Sequence, residues 1–150
     1  MYSLTEVPLT NPALLELFTA LSEVLGKTDQ EPQLQQLQQS GLLLAVVAWH
    51  DGKAVGCGLL RREDAEHAEI KRMFSTLPGV GSAVLQYLEN SAKAQGFGKI
   101  RAAARIINSK AVNFYLHKGF RKCPGYGKYR YSSQSICLEK VLTSANEATG

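Results

Sequence analysis

The chain has 150 residues, of which 45% are hydrophobic and 20% charged, with a formal net charge of +4. This length and balance predict one folded domain and exclude an intrinsically disordered chain. The longest apolar run, 42–49, is too short to cross a bilayer as a helix, so we expect no membrane partner.

The predicted elements follow the order strand, two helices, three strands, helix, strand, helix and two strands. Predicted strands are apolar segments bounded by turn residues, and they cover 2–7, 42–49, 54–60, 67–74, 99–106, a segment from 120, and 135–142. Predicted helices carry apolar residues at three- and four-residue spacing, and they cover 12–25, about 32–39, 82–95 and 109–118. A meander followed by alternating helices and strands predicts an α/β fold with a mixed sheet covered on both faces.

The cysteines indicate the redox environment of the protein, and its net charge indicates the kind of ligand that it would bind. Cys57, Cys123 and Cys137 form no CxxC pair and are odd in number, so neither a disulfide framework nor a zinc site is predicted. The histidines lack the spacing of metal ligands, and the first residues do not resemble a signal peptide. We expect reduced thiols, a cytoplasmic location and no metal. The basic charge suits an anionic ligand, or reflects only a surplus of surface lysine.

A glycine-containing loop joins the strand that ends at Phe74 to the following helix. The loop reads Gly79-Val80-Gly81-Ser82-Ala83. Because the first N–H groups of a helix have no partner within it and carry the positive end of its dipole, this junction is able to hold a phosphate. Glycines at such turns are also common for structural reasons alone, so both interpretations remain open.

A second pattern lies in the predicted helix that follows Asn108. Asn108, Ala111 and Tyr115 fall near one face of this helix, and Phe114 precedes the tyrosine. That face offers an amide, a small surface and a phenol to a ligand. A capped helix with aromatic core residues is the alternative.

Together these segments resemble the Gcn5-related N-acetyltransferases (GNATs) over about 42–142. The run AEIKRMF resembles their fourth strand, GVGSA resembles their pyrophosphate loop, and the segment from Asn108 to Phe120 resembles their last helix. The segment GYGKYRYSSQSICLEK resembles the end of a small bacterial subgroup. The resemblance implies a GNAT fold with six or seven strands, in which the fourth and fifth strands splay apart and receive acetyl-CoA.

The resemblance also implies direct transfer of acetyl from acetyl-CoA to a primary amine of a small molecule or peptide. Tyr115 would protonate the leaving thiolate, and Glu69 would remove the proton of the amine, which is needed because free amines are protonated at neutral pH. The residues implied to hold acetyl-CoA are the backbone of Met73, Phe74 and Ser75, the loop Gly79, Val80, Gly81, Ser82 and Ala83, and Asn108, Ala111 and Phe114.

Several alternatives remain at this level. The loop after Phe74 is about four residues shorter than the family pattern, and Thr76 stands where the family has Gln or Arg. A CoA-binding or ligand-sensing domain is therefore the alternative to an enzyme. Glu69 is also placed to form an ion pair with Lys71 on the same face of its strand.

The acceptor side is less defined by the sequence. Arg72 is predicted to bind an acidic group of the substrate or to pair with a carboxylate such as Glu139. A basic, aromatic stretch containing Tyr129 would line the acceptor pocket, bind single-stranded nucleic acid, which is the less favoured role, or form a solvated loop. We expect one domain over 1–142, a flexible tail at 143–150, and a possible homodimer.

Overall fold

The computed structural model describes residues 2–25 and 31–142, and side chains for all of these except 25 and 31–34. Gly26, where the sequence predicts that the first helix ends, and the predicted tail at 143–150 lie outside them. The strands are β1 Ser3–Glu6, β2 Leu42–His50, β3 Lys53–Arg62, β4 His67–Ser75, β5 Lys99–Arg105, β6 Arg121–Cys123 and β7 Ser135–Val141. The helices are α1 Pro12–Leu25, α2 Glu31–Gln39, α3 Val80–Ala94 and α4 Ser109–His117, with a 3₁₀ turn at Gly127–Tyr129.

The predicted order of elements is confirmed, with two informative differences in their ends. Strand β3 continues to Arg62, through a segment predicted as loop, because Arg61 pairs in register with Glu69 of β4. Helix α3 begins at Val80 rather than at residue 82, because Gly79 takes the left-handed conformation, with a φ of 85°, and starts the helix earlier.

Within the described residues the strands form a single mixed sheet of order β1-β2-β3-β4-β5-β7-β6. Strand β4 pairs with β5 in parallel, and the other neighbouring strands of this part of the chain pair antiparallel. The predicted α/β class and mixed sheet are confirmed. No helix in the described ranges is long and apolar enough to cross a membrane.

Helices cover both faces of the sheet, and each face has its own core. Alternate residues of β2 point to opposite faces: Val46 joins one core and Val47 the other. The first core packs the sheet against α3 and α4, with Leu88 and Tyr115 among its buried members. The second packs it against α1, with Phe18 fully buried.

The sheet opens between β4 and β5. Their pairing runs from His67↔Lys99 to Glu69↔Arg101 and goes no further, although β4 continues to Ser75 and β5 to Arg105. Beside the opening β4 contains a bulge at Arg72, which has a φ of 52°. The predicted splaying of the fourth and fifth strands is confirmed. Beyond these pairs it leaves the facing backbone edges of β4 and β5 without strand partners among the described residues.

Candidate active site

The N-terminus of α3 lies at the end of the opening and presents backbone donors. The N–H of Val80 donates to the Leu77 oxygen at 3.3 Å, and that of Ala83 donates to the Gly79 oxygen at 3.2 Å. The N–H groups of Gly79, Gly81 and Ser82 have no partner among the described residues. Of the five N–H groups predicted to bind an anion, two are therefore already used. The Val80 N–H closes a turn, and the Ala83 N–H makes the first helical hydrogen bond.

Three of the predicted cofactor segments meet at Gly81. A Cβ atom placed on this residue would lie 3.5 Å from the ring of Phe114 and 3.5 Å from the Oγ atom of Ser75. The end of β4, the start of α3 and the side of α4 thus form one corner. Met73 packs against the core under α3, whereas Phe74 packs against the opposite core.

Helix α4 begins at Ser109, as predicted, and Asn108 is its N-cap. The side-chain oxygen of Asn108 accepts a hydrogen bond of 3.2 Å from the Ala111 N–H. The side-chain nitrogen of Asn108 has no partner within the described part of the chain, so it remains available as a donor to a ligand.

Tyr115 is 5% exposed and lies edge-on to Phe114 and to Phe120, with ring centroids 5.3 Å and 5.1 Å away. Burial raises the pKa of the Tyr115 phenol above its ordinary value. Its hydroxyl forms no hydrogen bond with residues 2–25 or 31–142. A buried, protonated phenol without a protein partner retains a proton to donate.

Glu69 lies on the other face of the sheet, and its side chain is 2% exposed. One carboxylate oxygen accepts from Arg61 at 2.6 Å, and the other accepts from the Tyr126 hydroxyl at 3.0 Å and lies 3.3 Å from the Lys71 ammonium. The ion pair with Lys71 that the sequence indicated is confirmed. These contacts favour a role in holding the cluster together over a role as a free base.

Glu139, named as an example of a carboxylate that Arg72 would pair with, is held by Lys99 and Arg101. The cation nearest to Glu139 among the described residues is Arg101, at 2.8 Å, because these residues are in register on β5 and β7. The guanidinium of Arg72 lies over the ring of Phe18, 4.9 Å from its centroid. This position results from the bulge, which turns the residue toward α1.

The basic, aromatic stretch crosses the outer side of β4. Its 3₁₀ turn brings the Tyr129 hydroxyl to 3.0 Å from the Lys71 ammonium. The rings of Tyr126 and Tyr129 meet edge-on at 5.7 Å. The stretch therefore covers the face of β4 opposite α3 and α4, next to the opening.

The model of the acetyltransferase (GNAT) family matches residues 11–120 of the chain. The chain belongs to the GNAT acetyltransferase family. It is 29% identical over 101 residues to YsnE of Bacillus subtilis (strain 168), an uncharacterized N-acetyltransferase. That match covers 63% of this chain and 67% of YsnE.

Solved GNAT structures share the fold. A Klebsiella pneumoniae protein provisionally assigned as an acyl-CoA N-acyltransferase superimposes with a TM-score of 0.83 at 24% identity, covering 95% of this chain and 99% of that one. A GNAT acetyltransferase of Elizabethkingia anophelis, solved with acetyl-CoA bound, superimposes with a TM-score of 0.74 at 18% identity, covering 94% of this chain and 98% of that one.

Sequence reasoning misses one residue and one contact of this GNAT protein. The missed residue is Arg61, which the sequence predicts in a loop; its two-residue spacing from Leu59 is a usable signal that both share one face of β3, next to Glu69. Tyr126 reaches Glu69 from 57 residues away, and no local pattern predicts that contact.

Proposed function

We propose that this GNAT protein transfers an acetyl group from acetyl-CoA directly to the primary amine of a small molecule or peptide. The observation that carries the proposal is the parting of β4 and β5 after Glu69, beside the free amides of Gly81 and Ser82. An extended thioester arm fits between two unpaired strand edges, where it gains hydrogen bonds that the strands do not satisfy.

The residues around the opening suit the parts of acetyl-CoA. The edge of β4 at Met73, Phe74 and Ser75 would bind the pantetheine arm, with the amide of Asn108 on the other side. The free N–H groups at Gly79, Gly81 and Ser82 would bind the pyrophosphate, where the helix dipole favours negative charge. Ala111 and Phe114 would form the adjoining wall.

In the proposed reaction the amine nitrogen attacks the thioester carbonyl. A C–N bond forms, the C–S bond breaks, and the attacking nitrogen releases one proton to water. The thiolate takes a proton from Tyr115, which recovers one from water. General-acid help of this kind contributes roughly 100- to 10,000-fold in rate. Because burial raises the pKa of Tyr115, its phenol stays protonated until the thiolate develops.

The proton of the amine is a separate question. The resemblance implies that Glu69 removes it, but both oxygens of that carboxylate already have donors. We propose that Glu69 holds Arg61, Lys71 and Tyr126 in place, and that the amine enters as the free base, having lost its proton to water.

We also propose that the protein works in the cytoplasm, where its three cysteines, which are free in the structure, stay reduced.

Two measurements on the same protein test the proposed transfer. Thermal melts with and without CoA report cofactor binding, because a ligand that binds only the folded state raises its stability. A free-thiol assay with acetyl-CoA and a panel of amines reports turnover. We expect a raised melting temperature and thiol release that depends on amine. A raised melting temperature without turnover would identify a ligand-binding domain, and no shift at millimolar CoA would overturn the proposal.

A further inference from the structure

An acceptor is able to reach the opening from the face of β4 that lies opposite α3. Lys71 stands in register with Leu59, which belongs to the core under α1, so both side chains point to that face. The opposite face is filled by fully buried core residues such as Val80 and Leu88. An acceptor therefore approaches from the side of Lys71.

Two hydrogen-bond donors lie side by side on this face. The Lys71 ammonium donates to the Tyr129 hydroxyl at 3.0 Å and lies 3.3 Å from a Glu69 oxygen. An ammonium has three protons, so one remains. The Tyr129 hydroxyl accepts from Lys71, and its own proton has no acceptor among the described residues. Both side chains are partly accessible.

The ion-pair group beside these donors is balanced in charge, and the stretch that covers it is basic. The carboxylates of Glu63 and Glu69 are balanced by Arg61 and Lys71 in one connected group. Beyond this group the stretch 121–134 contains four basic residues and no acidic one. The ammonium of Lys128 lies 5.3 Å from the centre of the Tyr129 ring and forms no ion pair within the described ranges.

The distance along β4 limits the size of the ligand. Lys71 precedes Met73, the first residue of the proposed pantetheine site, by two positions. A strand rises about 3.3 Å per residue, and the bulge at Arg72 interrupts it here. The backbone of Lys71 therefore lies at most roughly 7 Å along the strand from that site. A group bound there is separated from the reacting nitrogen by only a few bonds.

We infer that Lys71 and Tyr129 bind a carboxylate of the acceptor, so that the substrate is a small amino acid rather than a polyamine or an uncharged amine. This inference rests on the proposed acetyl transfer. A carboxylate offers two oxygens to two neighbouring donors, one of them charged, which is a strong form of hydrogen bonding. A polyamine would meet like charge at Lys128, which has no ion-pair partner among the described residues.

The test compares matched acceptors and matched variants in the thiol-release assay. The acceptors are α-, β- and γ-amino acids, their carboxamides, and a diamine and spermidine. The variants are Tyr129→Phe and Lys71→Gln, with Tyr131→Phe as the control because Tyr131 is 92% exposed. The readout is the ratio of kcat/KM for an amino acid to that for its carboxamide, which does not depend on the fraction of folded enzyme.

We expect the wild-type ratio to exceed about tenfold, as one hydrogen bond to a charged group predicts. Tyr129→Phe and Lys71→Gln should each bring the ratio close to one, and Tyr131→Phe should leave it unchanged. Turnover with carboxamides or polyamines equal to or above that with amino acids would overturn the inference and leave the transfer reaction standing. No turnover with any amine would instead overturn the proposed function.

Discussion

The hydroxyl of Tyr2 donates a hydrogen bond of 2.9 Å to the carbonyl oxygen of Pro78, across 76 positions of the chain. Its ring also lies 3.9 Å from the position that a Cβ atom on Gly79 would take. The segment before β1 therefore holds the shortened loop that leads into α3. The contact with Tyr2 stabilises a conformation of this loop that the few residues of the loop do not determine by themselves.

Removal of this hydroxyl should loosen the proposed pyrophosphate loop. We expect Tyr2→Phe to raise the KM for acetyl-CoA by about two- to tenfold with little change in kcat, as the loss of one hydrogen bond predicts. Steady-state kinetics with acetyl-CoA varied would measure it. Tyr131→Phe, on an exposed tyrosine, is the matched control. An unchanged KM in Tyr2→Phe would show that the loop holds its path without this contact.

Tyr115 should act through its hydroxyl alone. Tyr115→Phe keeps the ring contacts with Phe114 and Phe120, so we expect CoA to raise the melting temperature as it does for the wild type. Without the acid, kcat should fall by roughly 100-fold or more. Single-turnover thiol release would measure this loss. If the variant keeps full turnover, the leaving thiolate takes its proton from elsewhere.

The pH dependence of kcat/KM distinguishes the ionisation of Tyr115 from that of the acceptor amine. The acid form of Tyr115 is the active one, and burial raises its pKa, so the donor stays protonated up to and beyond the ordinary phenol pKa near 10. If the amine enters as the free base, kcat/KM should rise about tenfold per pH unit below the pKa of the acceptor. A plateau beginning near neutral pH would indicate a protein base and restore that role to Glu69.

Glu69 should matter more for stability than for chemistry. Glu69→Gln removes a buried charge that Arg61, Lys71 and Tyr126 share, so we expect the free energy of unfolding to fall by about 1–3 kcal/mol. Turnover should fall less than tenfold. Urea unfolding and saturating kinetics would measure the two effects. Glu63→Gln is the control, because the Glu63 side chain is more exposed, at 18%, and Arg61 is its one ion-pair partner among the described residues. A much larger loss of turnover than of stability would favour the base role.

The close approach of α3 to the sheet depends on Gly56. A Cβ atom there would clash with Val80 and lie 3.1 Å from the Phe74 oxygen. Gly56→Ala should therefore cost about 1–3 kcal/mol and move the start of α3, lowering the melting temperature and weakening CoA binding. Gly98→Ala is the control, since no atom lies within 4 Å of its Cβ position. Equal melting temperatures for the two variants would contradict this account.

Local patterns predict much of this molecule. Helical spacing and caps predict α1, α3 and α4, and the Asn108 cap is seen as predicted. Runs of apolar residues predict the long strands, and the Asp51-Gly52 turn predicts the β2–β3 hairpin. These features depend on backbone preference and on periodicity over a few residues, and both are determined by residues that are neighbours in the sequence.

Contacts between residues that are distant in the sequence depend on the tertiary structure and not on local patterns. The partners of Glu69, the bond from Tyr2 to Pro78 and the pairing of Lys71 with Tyr129 join residues up to 76 positions apart. They require the strand register, the bulge at Arg72 and the path of the 3₁₀ turn to be set together. Because a shift of one residue would turn each strand side chain to the opposite face, only the tertiary structure decides which charges meet.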